Sequence, residues 1–438
     1  MTSNVYIWTW LPHTTKPVVA GTVNPQTRQF RYGLSYLERL NAIPLGPDLP
    51  LTTRTITPTS HEADLHGTLL DALPDRWGRR VLALQLRNDE PDNTACMLHS
   101  DSNRFGAIDF QRSAHSYTPR VSTGTLDELH AAAERIDQGE PLSPALEHAL
   151  QHGTSIGGAR PKAQLTDATG NHWLAKFSSS SDPLPVVQAE AVALDLARQA
   201  GINTPDHKLV PSLGKHVLLV KRFDRDGEQR HHTASMLNVL SLTEMTGRYA
   251  TYPKFLEYLG ANENEELFRR VAFNIAIGNT DDHARNHAAF WDGKHLTLTP
   301  AYDIDPTARP RGWDANQAIA YSSNGDRESN LATLINAAHD YQLSPTAARN
   351  IVDHLRATIN DGWDDATERA QLPTQDANAI KERSILREAA TADLPTPISM
   401  HTTPATPPNH QNNAHFCGAD TQRGSSCKRR GNCPYHGT

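Results

Sequence analysis

Between residues 160 and 224 the chain reads strand, strand, helix, strand: KAQL, WLAKF, VVQAEAVALDLARQA and KHVLLVKRF, with a polar turn of four serines before the helix. The strand connections are too short for a doubly wound sheet, so this stretch reads as a compact β-β-α-β run. The helix stops at Gly201, a residue suited to a helix C-terminus.

The stretch from about 234 to 390 is mostly helical. Leu267, Val271 and Ile275 recur at a spacing of four, and Ser344-Pro345 opens a helix whose inner face is Ala348, Ile351, Val352 and Leu355. Ahead of the β-rich stretch, residues 1–120 mix β-like runs (VYIWTWL, FRYGLSYL) with a helical piece around DALPDRWGRRVLALQLR. Two signalled helices come next. Thr125 and Glu128 form a capping box, and Ser143-Pro144 supplies an N-cap and a first-turn proline. The expected class is α+β in two lobes: an N-terminal subdomain (1–120), the rest of a β-rich lobe (121–233) and a helical lobe (234–390). Five prolines within 14 residues then mark a linker (391–416), ahead of a Cys/His-rich end (417–438).

Composition narrows the function classes. Across 438 residues, 42 Lys+Arg against 49 Asp+Glu give a net charge of −7, which argues against coating nucleic acid through bulk charge. No run approaches the apolar length of a membrane span, and the first residues lack the basic and apolar regions of a signal peptide, so a cytoplasmic location is expected. Three of the four cysteines lie in the last 22 residues, which is not how a disulfide scaffold distributes them.

The most informative segment is NTDDHARNH, residues 279–287. Asp281 is followed at the fifth position by Asn286, and 17 residues later by Asp303 in LTLTPAYDID. Phosphoryl transfer needs a carboxylate for the acceptor hydroxyl and hard oxygen ligands for Mg²⁺ against the triphosphate, and Asp-x4-Asn with a second Asp supplies both. A polar helix terminus would use the same residue types. A rival chemistry is a metal hydrolase built on Asp281, Asp282, His283 and His287, in which the two histidines share a helical face; no H-E-x-x-H is present.

Upstream, GTSIGGARPK could cradle phosphate on its backbone N–H groups through Gly157 and Gly158, with Arg160 and Lys162 as further contacts; it is not a Walker A loop, and it could be a plain hairpin turn. Lys176, inside WLAKF, is either an edge-strand charge or a phosphate-binding lysine. Glu190, 14 residues on, is its candidate ion-pair partner or a solvated helix residue.

SIGGARPKA, WLAKF, LLVKRFDR, NTDDHARN and TPAYDI, in that order, make residues 1–385 resemble the HipA-type Ser/Thr kinases, toxins of bacterial toxin–antitoxin pairs. The resemblance implies a two-lobe kinase-like fold with Asp281 as catalytic aspartate, Asn286 and Asp303 on Mg²⁺, and Lys176 on the ATP phosphates. It also implies an adenine pocket lined around Lys221 and Phe223, and a self-phosphorylated, self-inhibiting Ser155. Implied partners are a small Xre/Cro-type helix-turn-helix antitoxin, operator DNA reached through it, and a substrate such as an aminoacyl-tRNA synthetase or another translation protein; no membrane is implied. His283 follows the aspartate, where ordinary protein kinases have H-R-D, and no D-F-G occurs; both fit this branch.

The resemblance does not reach the end of the chain. Cys417, Cys427, Cys433 and His436 are spaced C-x9-C-x5-C-x2-H, four ligands of the type that close a tetrahedral Zn²⁺ site. From 396 onward four basic residues face one acidic, a net +3 that leaves −10 for the body. A basic zinc knot on a linker could contact nucleic acid, which sets a second expectation beside the first: a kinase-fold adaptor without turnover.

Overall fold

The computed structural model describes residues 4–60, 62–121, 124–150, 160–179, 181–306 and 316–394. The N-terminal part is an antiparallel sheet of order β3-β2-β1-β4, from β1 (Val5–Thr9), β2 (Val18–Asn24), β3 (Gln29–Tyr32) and β4 (Ile108–Gln111). Its core gathers Val5, Ile7, Phe30, Tyr36, Leu69 and Phe110. FRYGLSYL is not one β-run. The strand ends at Tyr32, and Leu34–Leu37 turns into a helical turn that buries Tyr36, whose hydroxyl donates to Ile43 O at 2.8 Å.

Asp75 caps α1 (Arg76–Leu86) by accepting from Gly78 N. The expected capping box opens α2 (Leu126–Gln138): Glu128 N donates to Thr125 Oγ1, and Thr125 N to the Glu128 carboxylate at 2.8 Å. The second sheet has order β5-β6-β8-β7, all antiparallel: β5 (Lys162–Thr166), β6 (His172–Lys176), β7 (His207–Ser212) and β8 (Lys215–Lys221), with α3 (Val186–Gln199) between β6 and β7. β7 was not expected from the sequence. His207, Lys208 and Pro211 dilute its apolar pattern, and it forms by pairing along β8.

The uninterrupted apolar run of β8 has a cause. Val217 and Leu219 pack with Trp77, Leu129 and Phe177 on one face, while Leu218 and Val220 pack with α3 and the helical region on the other. A strand buried on both faces loses its polar alternation.

The helical region is organised by α4 (Asn264–Ile277), buried almost all round, and α5 (Pro345–Arg369), capped by Ser344. A third sheet of order β9-β10-β11 comprises β9 (Thr233–Ser235), β10 (Ala288–Trp291) and β11 (Leu296–Leu298). α4 ends at Gly278 with φ +71°, where an added Cβ would sit 2.8 Å from Ser384 O. Only glycine tolerates both. That stop launches residues 279–287 back toward β10. The described residues all belong to one unit, residues 1–394. No helix among the described residues is long and apolar enough to cross a membrane.

Candidate active site

The 279–287 loop is held from beneath by Asp282. Its buried carboxylate accepts from Asn274 Nδ2 at 2.7 Å, from the Tyr252 hydroxyl, and from His287 Nε2 at 2.8 Å. With Asp282 pulled in, its neighbour Asp281 is left exposed. Asn286 Nδ2 faces Asp281 O at 3.4 Å, and Asn286 N donates to His283 O at 2.8 Å. The rival metal-hydrolase grouping comes apart here. The segment is not helical, Asp282 and His287 are spent on each other inside, and His283 is exposed. Sequence reasoning had no use for Asp282 in a phosphotransfer site. Its adjacency to Asp281 was the available signal.

Lys176, at the end of β6, sends its ammonium between two carboxylates, Glu190 Oε1 on α3 at 2.6 Å and Asp303 Oδ1 at 2.7 Å. Burial alone would lower this lysine's pKa. Asp303 and Glu190 override it, so it lies above the ordinary lysine value. Lys176 in turn holds the Asp303 carboxyl well below the usual carboxylate range, although burial opposes this. Asp303 sits at φ +60°, a left-handed conformation that aspartate adopts more readily than most residues. Its side chain remains 44% exposed, toward a cleft. Two residues further along the chain, burial pushes the Asp305 carboxyl up to about 7, with Glu190 adding to the rise.

That cleft has a volume of about 580 Å³, within the ordinary range for a small-molecule site. Lys176, Glu190, Lys221, Phe223, Asn286 and Asp303 all line it. Phe223 is braced by Tyr302, Phe105 and Phe290 at centroid distances of 5.6 to 5.9 Å. The N-terminal part contributes wall as well, through Leu70, Asp71 and Leu73, and nothing in their sequence pattern marked them. Asp71 accepts from Ser235 N at 2.8 Å and Ser235 Oγ at 2.6 Å, and burial pushes its carboxyl up to about 6.

Lys162 differs from its expected place. It is buried beside Asp75, Nζ to Oδ2 3.6 Å, while Trp77 Nε1 donates to its carbonyl at 3.0 Å, so it ties α1 to the start of β5 and does not line the cleft. Arg160 pairs with Asp182. Ser155, Gly157, Gly158, Cys417, Cys427, Cys433 and His436 lie outside the described residues.

Arranged in this way, the site can fix a polyanion with Lys176 and offer hard oxygens from Asp303 and Asn286 to a divalent cation; Asp281 is not among the residues that line the cleft, and stands exposed on the loop that brings Asn286 to it.

Comparison with known proteins concerns the domains and the fold. The family model of the HipA-like C-terminal domain matches residues 154–363, and that of the HipA N-terminal domain matches residues 14–111. A provisionally named kinase of Haemophilus influenzae is 27% identical over 183 residues, covering 35% of this chain and 53% of the relative. A provisionally named kinase of Sinorhizobium fredii, Y4dM, is 25% identical over 213 residues, covering 44% and 51%. The chain thus spans about half the length of these two curated relatives. Among solved structures, the Shewanella oneidensis HipA, in a complex with HipB and operator DNA, superposes with a TM-score of 0.63 at 17% identity, covering 83% of this chain and 92% of that one. At this identity the likeness concerns the fold. The two domain models match in that order along the chain, the HipA N-terminal domain first and the HipA-like C-terminal domain second.

Proposed function

We propose that this chain is an ATP- and Mg²⁺-dependent protein serine/threonine kinase. The observation that carries the reading is the Lys176 ammonium, gripped by Glu190 and Asp303 in a cleft that Asn286 also lines. Asp303 and Asn286 are the residues that would hold Mg²⁺. Their fit rests on hard oxygen donors, one of them kept ionised by Lys176 and open to the cleft. Bound there, the ion supplies charge neutralisation across the β- and γ-phosphates.

This chain's residues do the rest. Lys176 positions the phosphates, and Glu190 keeps Lys176 extended toward them. The apolar wall of Leu70, Leu73, Leu174 and Val220 takes the adenine beside Lys221 and Phe223. Asp281 accepts the proton of the acceptor hydroxyl as the phosphoryl group arrives. Ser155 is the proposed self-phosphorylation site. The HipB and DNA in the Shewanella complex support a small DNA-binding antitoxin as partner, and a translation protein as substrate belongs to the same reading. Donor spacing supports Zn²⁺ on Cys417, Cys427, Cys433 and His436. Titrating MgATP into the wild-type chain and the Lys176→Met variant tests the site: saturable binding is expected in the first and a loss of at least tenfold in the second, and equal affinities would remove Lys176 from it.

A further inference from the structure

Part of the cleft wall is left over once the nucleotide has been assigned. Glu244, Arg248 and Arg285 line it on the helical side, and Arg285 belongs to the same loop as Asp281. Arg248 makes no ion pair with any described residue. Its guanidinium lies over the Tyr249 ring at 4.9 Å and donates to the Tyr249 hydroxyl at 3.0 Å, both at the surface. Arg285 reaches Glu244 at 2.5 Å with side chains 42% and 71% exposed, so the acid of this segment is already neutralised by an exchangeable surface pair. The same segment carries two large apolar side chains in water, Met245 at 80% and Tyr249 at 63% exposure. Exposed apolar groups beside one arginine without an ion pair among the described residues and a second held only by an exposed pair, next to a cleft, have the composition of a recognition surface.

We propose that this rim docks the acceptor segment of a protein substrate that carries acidic side chains next to its serine or threonine and an apolar side chain beyond them. Arg248 takes the acidic group, Arg285 exchanges Glu244 for a second one, and Met245 with Tyr249 covers the apolar residue. Asp281, on the loop that also carries Arg285, is reserved for the hydroxyl. The inference rests on the kinase reading of the same cleft and adds a substrate class to it.

The test uses the full chain and two labelled hexapeptides, identical except for Glu-Glu or Lys-Lys after a central serine, each with a leucine at one end. Fluorescence anisotropy without nucleotide should show the glutamate peptide bound about tenfold more tightly, the preference fading with salt. Arg248→Glu, a surface change, should reverse that preference and leave MgATP affinity within twofold. Equal affinity, or preference for the lysine peptide, would overturn the proposal. So would an Arg248→Glu variant that loses MgATP affinity and keeps its peptide preference, since the arginine would then serve the phosphates. If the glutamate preference holds while neither peptide accepts phosphate, the docking surface stands and the kinase reading falls.

Discussion

Asp303 Oδ1 lies 2.7 Å from Lys176 Nζ across 127 residues of sequence, and this contact joins the β-rich part of the site to the loop after β11. Removing the lysine strands two carboxylates. Asp303, held low by Lys176, stabilises the fold at pH values above its unfolded pKa and loses that contribution as pH falls through the acid range. Lys176→Met should therefore lose stability at neutral pH and show a shallower further loss on acidification below about pH 4. Urea unfolding at pH 7 and pH 3.5 checks it.

Asp71 has the opposite sign. Its folded pKa, pushed up to about 6 by burial, exceeds the unfolded value of about 3.9, so the native state holds a proton that the unfolded chain has released. Its contribution is full below about pH 4 and is lost as pH rises through 6. Asp71→Asn should flatten the fall in stability between pH 4 and 6.5, a difference of about 2 kcal/mol at most. Unfolding midpoints across that window measure it.

Asp282→Ala would leave the Tyr252 hydroxyl, Asn274 Nδ2 and His287 Nε2 without their shared acceptor in a buried setting. A cost of about 3 kcal/mol is expected, together with a drop in phosphotransfer larger than any drop in MgATP affinity, because the loop bearing Asp281 loses its anchor. Urea unfolding and single-turnover transfer rates separate the two effects.

Asp224 is the buried counter-ion of Arg222 at 2.7 Å and Arg225 at 3.0 Å, and it accepts from Gly106 N at 2.8 Å. Arg222 also donates to the carbonyls of Asn103 and Arg104, so this cluster fastens the N-terminal part to the turn after β8. Asp224→Asn should cost about 3–5 kcal/mol by leaving two guanidiniums uncompensated, visible as a lower urea midpoint with an unchanged m-value.

Much of this was legible in the sequence because it is local. The capping box at Thr125, the Ser344 cap, the α4 stripe of Leu267, Val271 and Ile275, and the WLAKF strand are each written within a few residues. The triad of Lys176, Glu190 and Asp303 was readable only as spacing, and the fold brings the three together. What escaped depends on distant partners: β7 exists by pairing with β8, Asp71 and its neighbour Leu70 reach the cleft where Ser235 holds the Asp71 carboxylate, and Lys162 turns to Asp75 because Trp77 holds its backbone. No local pattern encodes such contacts.

The central claim is that Asp281, exposed on a loop whose neighbour Asp282 is buried, is the base of a phosphotransfer site. The most direct measurement is mass spectrometry of the purified full chain after incubation with Mg²⁺ and ATP, beside an Asp281→Asn variant shown to be folded and to bind MgATP. The account predicts phosphate on the wild type, including Ser155, and a fall of at least about a hundredfold in the variant. Equal phosphate incorporation by the two proteins would contradict it.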